Sequence, residues 1–281
     1  MKLSAHFGQK KQWLASLVLA VGAIGVACAT SPLGRRQLIA VPDAQLDQMG
    51  AQSFQQMKSE TPSNSDPAIN AYVHCVTDPI TRAARDQTKI SSWEVVVFKD
   101  ATANAFALPG GKIGVHDGIL KVAKTDAQLA AVLGHEVGHV IARHGAERVS
   151  QQVATSGGIG LISSFLGGQS NSATSQLLMA GLGMGAQVGL LLPWGRTQES
   201  EADLIGEDLM ARAGFDPRQS TELWKNMKAA SGGSAPPQWL STHPADDTRI
   251  ANLEKHMGDA VTKYNQARAS GNAPSCTPPR L

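Results

Sequence analysis

"AAVLGHEVGHVIARH", Ala130 to His144, sets two histidines four residues apart with a glutamate directly after the first. On an α-helix four residues advance the azimuth by about 400°, so His135 and His139 share one face, one turn apart. Their imidazole nitrogens can then reach a single ion at about 2.0 to 2.1 Å. Glu136 lies about 100° further round, beside such an ion and outside its ligand set, where a carboxylate can take a proton from a water that the ion activates. Leu129, Val132, Leu133, Val137 and Val140 recur at helical spacing, which predicts a helix from Thr125 or Asp126 to about His144. The alternative is an ordinary amphipathic helix with capped or solvated polar residues. Composition alone produces an H-E-x-x-H string in about one chain in a hundred of this size, so a third ligand must decide.

His144 is not that ligand, because five residues after His139 it faces about 140° away. The longer H-E-x-x-H-x-x-G-x-x-H pattern also fails, since Ala142 replaces its glycine and no histidine stands at its last position. The better candidate is "RTQESEADLIGEDLMARAG", Arg196 to Gly214, where Glu199 and Asp203 again lie four apart on a helix predicted over 197–213. One can bind metal while the other accepts a hydrogen bond from a ligand imidazole. Glu201, two residues from Glu199, points elsewhere.

The rest of the chain fits a single domain. At 281 residues, 42% apolar and 17% charged, neither disorder nor a coiled coil is indicated. Aromatic residues are sparse, which disfavours a base-stacking nucleic-acid module. Lys2, Lys10 and Lys11 precede an uncharged apolar run of 14 residues, Leu14 to Ala27, that ends in small residues. A spanning helix needs about 20 apolar residues, so residues 1–27 read as an export signal. "GVAC", Gly25 to Cys28, resembles a bacterial lipobox, which predicts acylation of Cys28; cleavage before Thr30 is the alternative. Removing the three lysines takes the formal charge from +2 to −1, so the basicity belongs to targeting and no nucleic-acid partner is implied. With Cys28 lipidated, Cys75 and Cys276 form an even pair in an oxidising compartment, and a disulfide is predicted.

Residues 28–41 show no clear period and read as a tether, followed by a domain over 42–269 and a loop-like tail over 270–281. Helices are predicted from Asp43 and from Asp66, the latter capping with Pro67 at the first helical position. Trp93 to Lys99 is β-branched and reads as a strand; "NAFALPGGKIGVHDGIL" reads as two extended pieces joined at Pro109, Gly110 and Gly111. "LLMAGLGMGAQVGLLL", Leu177 to Leu192, is short for a membrane span and reads as a core helix. Further helices are predicted over 217–230 and 246–269. The class is α+β, mostly helical with a small sheet.

"LGHEVGHVIARH" followed by "RTQESEAD" resembles the gluzincin zinc metallopeptidases that include HtpX, the CAAX prenyl protease and the Oma-type enzymes; "NAFALPGGKIGVHDGIL" and "STHPADDTRI" are similar to that family's flanking segments. The resemblance covers about Asp43 to Met257. It implies a minimal zincin-like fold, one zinc held by His135, His139 and Glu199, Glu136 as general base, and Asp203 supporting a ligand. It also implies that an edge strand, Asn104, Ala105 and Phe106 onward to Leu108, holds a peptide in β fashion. The chain lacks the long apolar spans of the membrane-embedded branches and the helical repeat array of BepA. It is most similar to the exported lipoprotein branch exemplified by LoiP and to the BepA protease domain. That branch implies unfolded or misfolded envelope proteins as substrates, envelope assembly machinery as a partner, and periplasmic residence with a lipid in the membrane. Ala29 after Cys28, in place of aspartate, favours the outer membrane.

In "STHPADDTRI", Pro244 biases His243 out of a helix and Arg249 begins the next one. Either could stabilise an oxyanion near the metal; His243 could instead take the fourth metal position and keep the enzyme resting. The rival to a zinc endopeptidase is a zinc-containing periplasmic chaperone or assembly factor with little proteolysis. Glu136 argues against it, because a structural site has no use for a base.

Overall fold

The computed structural model describes residues 28–155, 195–230, 238–243 and 247–280. The predicted export signal and the apolar stretch Leu177 to Leu192 lie outside the described residues. In chain order the elements are β1 (Cys28–Thr30), β2 (Arg36–Leu38), α1 (Asp43–Glu60), α2 (Pro67–Thr88), β3 (Glu94–Phe98), β4 (Ala105–Leu108), β5 (Lys112–His116) and a 3-10 turn (Asp117–Lys121). They continue with α3 (Asp126–Ile141), α4 (His144–Thr155), α5 (Arg196–Arg212), α6 (Gln219–Ala230), α7 (Gln238–Thr242) and α8 (Asp247–Ala269). This is the expected α+β architecture, mostly helical with small sheets. None of the described helices is long and apolar enough to cross a membrane.

α3 is the central element. Thr125 caps it by accepting from the Gln128 N–H, and every residue in it except Asp126 and Val140 is buried. Leu129, Leu133 and Val137 pack with Val76 and Ile80 of α2, Ile113 and Val115 of β5, and Leu209 and Met210 of α5. Its polar residues are therefore buried too, and each needs a partner. α2 starts as expected, with the Asp66 carboxylate accepting from the N–H groups of Ala68 and Ile69 ahead of Pro67. At α1 the capping position is Pro42, and Asp43 is the first helical residue.

β5 is the middle strand of a three-stranded sheet, parallel to β3 and antiparallel to β4. The turn between β4 and β5 uses Gly110 and Gly111 at φ 76° and 74°, where a Cβ is disfavoured. Phe106 pairs with Gly114, and its ring covers the space a Cβ there would need. Phe54, Phe98 and Phe106 form a cluster that seats α1 against this sheet. β4 and β3 are the two edge strands of this sheet.

Three features differ from the sequence reading. Cys28–Thr30 and Arg36–Leu38 form an antiparallel hairpin where a tether without period was expected. Its turn is closed by the Ser31 N–H to the Arg35 carbonyl at 2.8 Å, with Gly34 at φ 87°. The helix expected to run to His144 stops at Ile141, because Arg143 adopts φ 55° and redirects the chain into α4. α7 was not anticipated. Cys75 and Cys276 are bonded as expected, with Cα atoms 5.8 Å apart. The bridge closes a loop of 201 residues, for which chain entropy gives up to about 5 kcal/mol.

Candidate metal centre

Small residues on two helices bring the site together. Gly134 and Gly138 on α3 face Gly206 and Ala202 on α5, and a Cβ at Gly134 would lie 2.7 Å from the Gly206 carbonyl oxygen. The backbones thus approach closely, setting His135 and His139 opposite Glu199 and Asp203. Replacing Gly134 or Gly206 by alanine would push these side chains apart.

His135, His139, Glu199 and His243 each offer one donor atom, all within 4.8 Å of one another, and all four residues are buried. His135 Nε2 lies 3.1 Å from His139 Nε2 and 3.1 Å from His243 Nδ1. Glu199 oxygens lie 3.5 Å from His135 Nε2, 3.4 Å from His139 Nε2 and 3.0 Å from His243 Nδ1. Tetrahedral donors at about 2.0 to 2.1 Å from zinc stand roughly 3.3 Å apart. The donor set of nitrogens and one carboxylate therefore fits zinc in chemistry and in spacing.

The groups behind the donors fix their orientation. His135 Nδ1 meets Asp203 at 2.9 Å. Since its Nε2 faces the other donors, Nδ1 carries the proton and donates. Arg249 holds Asp203 through two hydrogen bonds of 2.6 and 2.7 Å and reaches Glu199 at 2.7 Å. Its guanidinium packs 4.1 Å from the centroid of the Trp224 ring. Arg249 thus stands behind the donor atoms, between Asp203, Glu199 and the Trp224 ring. Burial alone would raise the Glu199 carboxyl; the facing imidazoles, His243 first, outweigh it and hold the group far below the usual carboxylate range. For Asp203 burial is likewise outweighed, by Arg249 and His135.

Glu136 sits outside the donor set, as the helical geometry requires. Its Oε1 accepts from the Trp239 indole N–H at 2.7 Å and lies 3.4 Å from His243 Nε2. Sequence reasoning missed Trp239, which gave no signal beyond its position four residues before His243. His243 is placed by α7, where its N–H donates to the Trp239 carbonyl at 2.8 Å. The Trp239 N–H in turn donates to the carbonyl of Ala103, next to the expected substrate strand. A cavity of about 410 Å³ runs past Glu136, His139 and His243 and is lined on one side by Asn104, Ala105 and Phe106. The fold thus brings His135, Glu136, His139, Glu199, Asp203 and His243 together, with Asn104 to Phe106 along the same cavity and Arg249 behind the donor atoms.

Behind His135 and Asp203, Glu207 is buried beside Ser220, whose hydroxyl points at it from 3.4 Å. Burial, with the charges of Asp203 and Asp208, pushes its carboxyl up to about 8 from 4.5. Between these values the folded chain holds a proton that the unfolded chain has lost, so this residue lowers stability as pH rises. Glu207→Gln should therefore raise the Tm by several degrees at pH 8 and by much less at pH 5. Equal shifts at both pH values in thermal unfolding would show that Glu207 is ionised throughout.

The profile of peptidase family M48 matches residues 53–257. The mitochondrial metalloendopeptidase OMA1 of Schizosaccharomyces pombe is 36% identical over 266 residues, covering 90% of this chain and 74% of that protein. The OMA1 protein of Saccharomyces cerevisiae is 37% identical over 185 residues, 63% of this chain and 51% of that protein. The β-barrel assembly-enhancing protease of Escherichia coli is 28% identical over 269 residues, 92% of this chain but only 53% of that protein. With the metal-type donor set and adjacent glutamate in place, the chain belongs to peptidase family M48, a family of zinc metalloendopeptidases.

Proposed function

We propose that His135, His139 and Glu199 hold the zinc, that Glu136 is the general base, and that the cleft accepts an extended peptide along β4. The observation that carries this reading is that the His135, His139 and Glu199 donor atoms stand 3.1 to 3.5 Å apart, with Glu136 next to His135 on the same helix. When bound, zinc supplies the Lewis acidity that makes a water nucleophilic near neutral pH. Glu136 accepts the proton of that water and later delivers it to the leaving amine. Trp239 holds the Glu136 carboxylate in position, while Asp203 and His144 fix the tautomers of the two ligand imidazoles. The edge of β4 offers backbone groups to the substrate chain, and the cavity wall excludes bulk water. Purified mature protein should degrade unfolded casein, stop on chelation and recover on adding zinc; proteolysis that persists through exhaustive chelation would defeat the reading.

His243 reads best as a latch. Its Nδ1 stands among the donors and its Nε2 faces Glu136, so in this arrangement it takes the corner that the water would need. Substrate entering along β4 can displace it, because α7 is tied to Ala103 beside that strand. His243→Ala should keep stoichiometric zinc and raise basal cleavage of an unfolded substrate, about tenfold for a latch favoured by ~1.4 kcal/mol. A fall of about 10² to 10³ would transfer His243 to oxyanion stabilisation.

The setting proposed is the bacterial cell envelope, with a lipid on Cys28 anchoring the enzyme at the periplasmic face of the outer membrane. Unfolded or misassembled envelope proteins would be its substrates and the assembly machinery its neighbour. The lipobox-like sequence, the bonded cysteine pair and the similarity to the β-barrel assembly-enhancing protease support it. Loss of labelled-palmitate incorporation in Cys28→Ser would be expected; unlabelled wild-type protein would rule the anchor out.

A further inference from the structure

The N-terminal hairpin reaches the donor set by a continuous chain of polar contacts, buried except at Arg35, which is partly exposed. His139 Nδ1 meets His144 Nδ1 at 2.8 Å, and His144 Nε2 meets Glu201 at 3.1 Å. Glu201 Oε2 accepts from Arg35 Nε at 2.9 Å, and the two terminal nitrogens of Arg35 grip Glu147 at 2.7 Å each. Glu147 also accepts from Gln198, one residue before Glu199, at 2.7 Å. Because His139 Nε2 faces the donor set, its Nδ1 carries the proton and donates to His144; His144 must then donate from Nε2 to Glu201. Only one arrangement of protons satisfies the row, and a cation is needed at its far end. Arg35 is that cation, and the turn of the hairpin holds it there.

A second contact comes from the same hairpin. Gln37 of β2 donates to the carbonyl of Ala142 at 2.7 Å, at the point where α3 ends and Arg143 redirects the chain towards His144. The Ala40 N–H also donates to Ser150 of α4 at 2.8 Å. The hairpin therefore grips both the break between α3 and α4 and the polar row that break creates.

We infer that Arg35 is a positioning residue for the metal centre: through Glu201 and His144 the N-terminal hairpin orients the His139 imidazole and raises the affinity of the site for zinc. The inference rests on His139 being a ligand. Its consequence is that the N-terminal hairpin is part of the metal site, so a form lacking residues 28–38 would bind zinc less tightly with its ligands intact.

The test is the zinc dissociation constant of the mature chain, measured by competition with a chromophoric chelator and without reference to activity. Arg35→Ala should weaken binding about tenfold, the lower end for groups supporting a ligand, and Arg35→Lys should restore part of it. His144→Ala should weaken binding by a similar or larger factor. In the His144→Ala background, neither Arg35 variant should weaken it further, because the row is already cut. Unchanged affinity in Arg35→Ala, or the same loss with and without His144, would overturn the inference. If Arg35→Ala fails to fold, Arg35→Lys with and without His144 decides in the same way. His139→Ala separates the two levels: full zinc affinity in that variant removes the ligand assignment itself, whereas zinc loss there with no effect at Arg35 removes only the hairpin's role.

Discussion

Glu136→Gln should retain stoichiometric zinc and a wild-type unfolding curve while losing peptide hydrolysis by about 10³-fold or more. The substitution keeps shape, and a glutamine oxygen can still accept from the Trp239 indole that now meets Glu136 Oε1 at 2.7 Å. What it removes is the capacity to hold a proton beside the donor set. All four donor atoms belong to other residues, so metal content should not change. The comparison needs both measurements on one preparation, zinc by atomic absorption and cleavage of an unfolded substrate. Cleavage near the wild-type rate with zinc in place would take Glu136 out of the mechanism and leave the carboxylate as a packing partner of Trp239.

Much of the centre was legible because a helix converts spacing into direction. His135 and His139 at four residues, and Glu199 and Asp203 at four residues, each fix a shared face, and α3 and α5 meet along those faces. The sequence does not show how close the two helices come. That depends on Gly134, Gly138, Ala202 and Gly206 lying opposite each other, and the helix periods alone leave the pairing of faces open. The position of His144 does not follow from azimuth on one helix. Arg143 at φ 55° ends α3, and His144 returns on α4 to support His139 from behind. A positive φ at arginine carries no local signature, unlike the glycines at 110 and 111.

The N-terminal hairpin escaped notice for a related reason. Strands of three residues, Cys28–Thr30 and Arg36–Leu38, are too short to show an alternation. They are held in place by Arg35, Gln37 and Ala40 contacting residues more than one hundred positions away. α7 is likewise set by tertiary contacts, with Trp239 buried between Glu136, Trp224 and His243. Arg249 lies against two carboxylates of the centre, behind the donor atoms. A sequence shows that a cation lies nearby; the two carboxylates that claim it, Asp203 and Glu199, are visible only when α8 is seen against α5.

Glu199→Ala should abolish stoichiometric zinc binding, whereas Glu201→Ala should keep one zinc per chain under the same conditions and only lower its affinity. The two carboxylates are both buried and lie two residues apart on α5, so composition and burial do not separate them. Direction does. Glu199 turns its oxygens to the three imidazoles and Arg249, while Glu201 turns to His144 and Arg35. Removing Glu199 takes away the only carboxylate of the donor set and leaves histidines facing one another with no anion between them. Arg249 keeps its fork on Asp203, so the chain should still fold, less stably. Zinc measured after gel filtration in the presence of a weak chelator should fall to background. Retained zinc in Glu199→Ala together with its loss in Glu201→Ala would move the ligand role to Glu201, and the arrangement of α5 against α3 described here would then be wrong by a rotation of the helix.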